Sequence, residues 1–360
     1  MNIRFWRIKI ATQFLLLLVT AFSATIVQAH GWFYNVNYLV TDEGTPPTKQ
    51  DPNLINAWGI AFNPFGPVWV NNAETGTSTL YDGNGNIIPL VVTVPAPDGS
   101  TGAPTGIVYN GSSAFTVTEG SASAPSRFIF ATEQGGLAAW APTVDLTHAI
   151  RVADRSMTGA IYKGLAISAG GSGGLLYVTD FHNNRIDVFD STFKLVTVSG
   201  SFSDAMLPAG YAPFGIQAIN GDIYVTYAKQ DDNAEDDVKG AGFGYVDVFD
   251  PNGHMIRRLI SRGKLNAPWG ITMSPAGFGM MSNRLLVSNF GDGRINVYDP
   301  ATGWFMGTLR STNGHPIQID GLWGLAFGNG YADQPVDTLF FTAGPGGEDH
   351  GAYGRIDVAK

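Results

Sequence analysis

One short phrase recurs six times along the chain, and it leaves few folds open. A glycine followed by apolar residues appears at Trp58-Gly59-Ile60-Ala61-Phe62, Thr105-Gly106-Ile107-Val108-Tyr109, Lys163-Gly164-Leu165-Ala166-Ile167, Phe214-Gly215-Ile216, Trp269-Gly270-Ile271-Thr272 and Trp323-Gly324-Leu325-Ala326-Phe327. Successive glycines are 47, 58, 51, 55 and 54 residues apart. A period of that size marks repeated supersecondary units that bury their apolar faces against their neighbours. Each copy continues with a second apolar run, such as Val68 to Asn71, Phe128 to Thr132 and Leu285 to Asn289. A third run, such as Arg185 to Phe189 or Arg294 to Tyr298, alternates polar and apolar residues, which is the period of a strand. Asp-led turns follow at Asp82-Gly83, Asp250-Pro251-Asn252-Gly253 and Asp299-Pro300, because Asp can bond back to its own backbone and Gly supplies positive φ. Beyond those turns lie fourth apolar segments at Ile87 to Val94, Lys194 to Val198, His254 to Ile260 and Phe305 to Leu309.

Four short strands per repeat and six repeats predict an all-β, six-bladed β-propeller of four-stranded blades. The sixth repeat reaches Lys360 after only three strands, while Tyr34 to Val40 upstream is an unclaimed strand. That strand is expected to close the last blade and so remove an exposed edge. The alternative is a loose N-terminal arm. The domain organisation then reads as a signal peptide over residues 1–29 and one propeller over residues 30–360.

The signal-peptide reading rests on Arg4, Arg7 and Lys9, the apolar run Phe14 to Phe22, and small residues at Val27-Gln28-Ala29. The apolar stretch is short for a spanning helix, so the expected location is secreted or periplasmic, with no membrane span after cleavage. With 21 basic and 30 acidic residues the chain carries a net charge of -9, which disfavours nucleic acid as a partner. The absence of cysteine excludes thiol nucleophiles, disulfides and thiolate metal sites.

Several phrases carry a resemblance. Leu265-Asn266-Ala267-Pro268-Trp269-Gly270-Ile271, Asn289-Phe290-Gly291-Asp292-Gly293-Arg294-Ile295, Gly321-Leu322-Trp323-Gly324-Leu325-Ala326-Phe327-Gly328 and Phe341-Thr342-Ala343-Gly344-Pro345 resemble an uncharacterised family of secreted bacterial six-bladed propellers. That family is distantly similar to propellers of NHL-type repeats. The resemblance implies fold and export and brings no established activity, and fold alone never assigns one.

In a propeller the start of each first strand and the end of each second strand emerge on one face. This places Asn56, Trp58, Lys163, Phe214, Trp269 and Trp323 with Asn71, Asn72, Glu74, Glu133, Asp180, His182, Lys229, Asn289 and Asp292 around the pore. Among these, Trp58, Glu74, Glu133, Lys163, Asp180, His182, Trp269, Asn289 and Trp323 are the candidate ligand-binding residues of the pore rim. Aromatic rings beside carboxylates and amides suit a small polar molecule, a glycan or a protein segment. The structural alternative is that the tryptophans wedge between blades while the polar groups cap strand ends.

The alternative function is a lactonase-like hydrolase dependent on a divalent cation such as Ca²⁺, held by Glu74, Glu133, Asp180 and Asn289. His182 or Lys163 would then assist proton transfer. Against it, the segment Asn53-Leu54-Ile55-Asn56-Ala57-Trp58 lacks the acidic residue that such enzymes carry ahead of the first inner strand. The acidic insertion Asp231-Asp232-Asn233-Ala234-Glu235-Asp236-Asp237 reads either as a solvated loop or as a Ca²⁺ site without the EF-hand pattern. Cleavage after Ala29 would expose His30, but no second histidine nearby completes a copper site. No Gly-x-Ser-x-Gly elbow is expected on a strand-to-helix turn, and Gly-rich stretches such as Ala169 to Gly174 lack the Lys-Ser/Thr ending of a phosphate loop.

Overall fold

The computed structural model describes residues 31–44, 48–168 and 174–360. The expected signal peptide and His30 lie outside the described residues. Within them, six four-stranded antiparallel sheets form the blades of a propeller. Blade 1 runs Ala57–Phe62, Val68–Asn72, Thr77–Tyr81 and Ile87–Thr93 from pore to rim. The inner strands of blades 2 to 6 are Pro104–Tyr109, Tyr162–Ser168, Tyr211–Ile219, Pro268–Met273 and Leu322–Phe327. Two short 3₁₀ turns are the helical elements among the described residues, and no helix there is long and apolar enough to cross a membrane.

The closing strand sits where the repeat arithmetic places it. Tyr34–Thr41 pairs antiparallel with Ala352–Val358, from Tyr34 opposite Val358 to Thr41 opposite Ala352. The two residues Lys49–Gln50 add a short parallel fifth strand to this blade. Blade 2 carries an extra hairpin, Thr116–Glu119 with Ala122–Pro125, inserted between its first two strands.

Burial explains the reading of the second strands as unbroken apolar runs. Six of the seven hydrophobic clusters each join two adjacent blades. In blade 2, Phe128 and Phe130 pack toward blade 1, while Ile129 and Ala131 pack toward blade 3. Alternate side chains leave a strand on opposite faces, so a strand with a blade on each side must be apolar on both. Outer strands have solvent on one side and revert to alternation, as in Ile150–Asp154.

The recurrent glycine marks the point where blades approach most closely. At each one the ladder between first and second strands breaks register, for example between Ala57 and Ile60, Pro213 and Ile216, and Pro268 and Ile271. A β-carbon on Gly215 would stand 1.9 Å from the Trp269 carbonyl oxygen of the next blade, and one on Gly59 would stand 2.2 Å from that of Thr105. The amide freed by the bulge finds a side-chain oxygen instead. Gly164 N–H donates to the Thr179 hydroxyl at 2.6 Å, and that hydroxyl donates to the Phe214 carbonyl of blade 4 at 2.8 Å. Ser288 and Thr342 repeat the relay toward Trp323 and Trp58. Asn71 reaches the Thr105 carbonyl of blade 2, and where blade 2 has Ala131 in this position, Thr105 itself donates to the Tyr162 carbonyl of blade 3.

Two substitutions test this stapling. Gly215→Ala is expected to cost more than about 2 kcal/mol, because backbone rather than a flexible side chain must yield. Thr179→Val keeps shape and leaves a buried amide and carbonyl unpaired, at a cost of about 1–3 kcal/mol. Denaturant midpoints of both variants check the ordering.

Candidate functional site

In five of the six blades the side chain before the bulge glycine lies at the pore mouth, while Thr105 of blade 2 turns to the Tyr162 carbonyl instead. Trp58, Phe214, Trp269 and Trp323 meet there with Phe181 and Phe290 in the seventh hydrophobic cluster. Trp323 is sandwiched, stacking on Trp58 at 3.9 Å and on Phe290 at 3.8 Å between ring centroids, while Trp269 meets both tryptophans edge-on. These rings plug the pore. Beneath them the channel narrows to a cavity of about 40 Å³ lined mainly by glycines and aliphatic side chains, including Gly59, Gly106, Ile107, Leu165 and Leu325. That volume suits a few waters at most.

Charge sits directly on the plug. Lys163 is buried, its ammonium 5.1 Å from the Trp58 ring centroid and bonded to Glu133, with Asp236 at 3.3 Å. Burial by itself would depress this lysine, but the two carboxylates outweigh it and hold its pKa above the ordinary value. Lys239 lies 4.1 Å over the Phe290 ring. Asn56, in a left-handed conformation at φ 48°, accepts from the Trp323 indole and donates to Glu348 at 2.8 Å. The Asp237 carboxyl is pushed up to about 7, mainly by desolvation, which the charges of Lys163 and Lys239 only partly offset. Glu348 is raised for the same first reason.

The acidic insertion thus bends over the pore, with its far end in the cluster and its tip in solvent. The solvated-loop expectation holds for Asp232 and Glu235, which are exposed, but not for Asp237, whose Oδ2 is closed off from solvent. The sequence-predicted rim residues divide accordingly. Trp58, Lys163, Trp269, Trp323 and Glu133 converge on the plug and its charges. His182 lies at the edge, its Nδ1 3.3 Å from the Ala234 carbonyl of the insertion. Asp180 is fully buried and caps its own turn, accepting from the Ile161 amide and Asn183 and pairing with Arg185. Asn289 is likewise consumed by Lys264, Asp292 and the Asn266 amide. Glu74 is exposed on the turn after the second strand of blade 1.

Among the described residues no three His, Asp or Glu side chains gather as a cation site, so Glu74, Glu133 and Asp180 are not brought together. Asp236, Asp237, Lys239 and Glu348 were missed as rim residues. Glu348 follows the second strand of blade 6 as Glu74 and Glu133 follow theirs, only a few residues later, after Ala343-Gly344-Pro345.

Fold and pore mouth together define a six-bladed β-propeller. The S. aureus virginiamycin B lyase in complex with quinupristin superposes with a TM-score of 0.52 at 13% identity, over 91% of this chain and all of that one. The soluble aldose sugar dehydrogenase of E. coli gives 0.55 at 11% identity, over 91% and all of the two chains. A luciferin-regenerating enzyme gives 0.53 at 13%, over 85% and 92%. At such identities the likeness is one of fold. No protein-family model matches the chain.

Sequence relatives are closer. An uncharacterised protein of Acanthamoeba polyphaga mimivirus is 38% identical over 318 residues, covering 86% of this chain and 76% of its own. A second from the same virus is 35% identical over 301 residues, covering 81% and 78%. The chain belongs to the family of these mimivirus proteins. The relatives show a family with mimivirus members, and the bacterial and secreted parts of the expectation rest on the repeat phrases and the N-terminal residues alone.

The raised Asp237 and Glu348 carboxyls fix a sign for the pH dependence. The folded state holds protons that the unfolded chain releases near pH 4, so their contribution to stability is present at pH 4 and is lost as pH rises toward 7. Asp237→Asn is expected to flatten that decline and to stabilise the protein at pH 7.5 by an amount on the order of 1–2 kcal/mol, with the gap closing near pH 4. Unfolding midpoints measured from pH 4 to pH 8 check it.

Proposed function

We propose that the protein is a binding module that takes a small polyhydroxylated ligand, such as a glycan end, at the pore mouth between the aromatic plug and the acidic insertion. One observation carries this reading. The indole N–H groups of Trp58 and Trp269 and the Oδ2 of Asp237 are all shut off from solvent, and no protein group pairs with them. They lie in one continuous cluster, joined through Lys163 and the edge-on contact of the two indoles. Unpaired buried polar groups are costly, so a ligand that satisfies donors and an acceptor together gains by binding there. Hydroxyl groups do both, and the apolar face of a sugar ring fits against an aromatic ring.

Access depends on the insertion. Its tip closes on itself through Asp231 with Asp236, while its base is held to the second strand of blade 4 by Val238 with Lys229. Its side-chain tie to Lys163 runs through Asp236, whose side chain is 77% exposed, and an ion pair with one solvated partner contributes little. The hydrolase reading would use the same face, but of the residues it needs Asp180 and Asn289 are committed to separate strand-end caps, Glu133 pairs with Lys163, and Glu74 is exposed on its own turn. Residues 1–29 fit an export signal, which would present this face outside the cell.

Titration with neutral mono- and oligosaccharides, followed by tryptophan fluorescence and calorimetry, tests the module. Saturable binding is expected, weakened about five- to tenfold by Trp269→Phe, which keeps the ring and removes the N–H. If saccharides leave the fluorescence unchanged, or if Trp269→Phe binds as wild type, the reading fails. A recovered protein that begins at His30 would support export, and one that begins at Met1 would oppose it.

A further inference from the structure

A second site lies away from the pore mouth, on the flank of blade 5. A groove of about 550 Å³ runs between the outer strand of that blade, Phe305–Thr308, the turn at Lys264, and the segment Trp32 to Tyr34 that leads into the closing strand. Its size is that of a small-ligand site. Its lining is unusual for this molecule. Lys264, Arg294 and Arg310 are all exposed and face a single carboxylate, Asp292, in a chain whose net charge is -9. Arg294 approaches Asp292 only to 3.8 Å, and Arg310 spends one N–H on the Gly314 carbonyl, so both guanidinium groups keep donors to offer.

Two aromatic rings lie among these cations. Trp32 is 51% exposed and Phe305 is 44% exposed, and the Lys264 ammonium sits 5.9 Å over the Phe305 ring. The floor is fixed rather than pliable. Asn296 is buried, donates to the Lys264 carbonyl at 2.9 Å and accepts from Thr308 at 2.8 Å, which ties the Lys264 turn to both outer strands of the blade.

We propose that this groove binds an acidic oligosaccharide, one carrying carboxylate or sulfate groups on its sugar rings. Guanidinium forks match the planar carboxylate and the sulfate oxygens, and each is more weakly hydrated than an ammonium. Open aromatic faces fit the apolar faces of the rings between the charged groups. A protein of net negative charge repels polyanions at long range, so attraction is confined to contact distance and is screened as salt rises. Extended nucleic acid would meet that repulsion along most of its length, while a short glycan fits within the groove. The groove shares no side chain with the aromatic plug or the acidic insertion, and its occupation is independent of the neutral ligand proposed there.

The test is titration of the folded protein with a galacturonate hexamer, a sulfated hexasaccharide, a neutral glucose hexamer and a short single-stranded DNA of matched charge, each at low and at raised salt. At least one acidic sugar is expected to bind at least tenfold more tightly than both the neutral sugar and the DNA, and to weaken with salt. Arg294→Ala and Arg310→Ala should each reduce that affinity severalfold without moving the unfolding midpoint, Trp32→Ala should reduce it without altering the salt dependence, and Asp237→Asn should leave it unchanged. Equal binding of DNA, equal binding of the neutral sugar, no binding of either acidic sugar, or arginine variants that bind as wild type would each overturn the proposal. If either arginine variant loses midpoint, Arg294→Gln and Arg310→Gln, which retain bulk, decide between lost charge and lost fold.

Discussion

Everything in this molecule is arranged around the contact between neighbouring inner strands. Six strands must converge on one axis, and their backbones can approach only where one residue in each lacks a β-carbon. Glycine solves the steric problem and creates an electrical one, because the bulge that brings the strands together leaves an amide without a ladder partner. The second strand answers with a hydroxyl that accepts from its own blade and donates to the next. One side chain thus satisfies a bulge and joins two blades, and the ring of such relays holds the sheets at the spacing their hydrophobic faces require.

The same bulge determines what can happen at the pore. In five of the six blades the residue before the glycine reaches the mouth, and four of those five are large aromatic side chains. A plug forms, and with it a dry platform on which charge is expensive. Lys163 is tolerated because two carboxylates answer it, while Asp237 has shifted toward its neutral form because its lysine partners answer it incompletely. Structural necessity and chemical opportunity therefore share residues at this face.

Much of this architecture was legible from the chain alone because its cause is periodic. Gly59 and its five successors, the double-faced apolar second strands and the unpaired strand at Tyr34 all follow from repetition, and the blades and their closure follow from them. What escaped was aperiodic. The insertion after Lys229 looks like any solvated acidic run, and only its fold over the pore makes Asp237 different from Asp232. Glu348 sits in a turn whose length differs from those holding Glu74 and Glu133. Asp180 and Asn289 were correctly placed at strand ends, but a position in the sequence carries no information on whether a polar group is already spoken for. Blade 2's extra hairpin and the Lys49–Gln50 strand escaped for the related reason that short insertions obey no repeat.

Closure by the strand at Tyr34–Thr41 sets an order of events during synthesis. Asn37 meets its partner Asp357 across 320 positions of chain. At usual elongation rates of about 5–20 residues per second, that strand waits roughly 16 to 64 s with its hydrogen-bonding edge open. Five blades can pair locally within that time, each from strands close in sequence, while the sixth cannot be completed. Until Ala352–Val358 is made the blades form an open row with an unpaired edge at each side, and that strand turns the row into a closed body without edges at the seam.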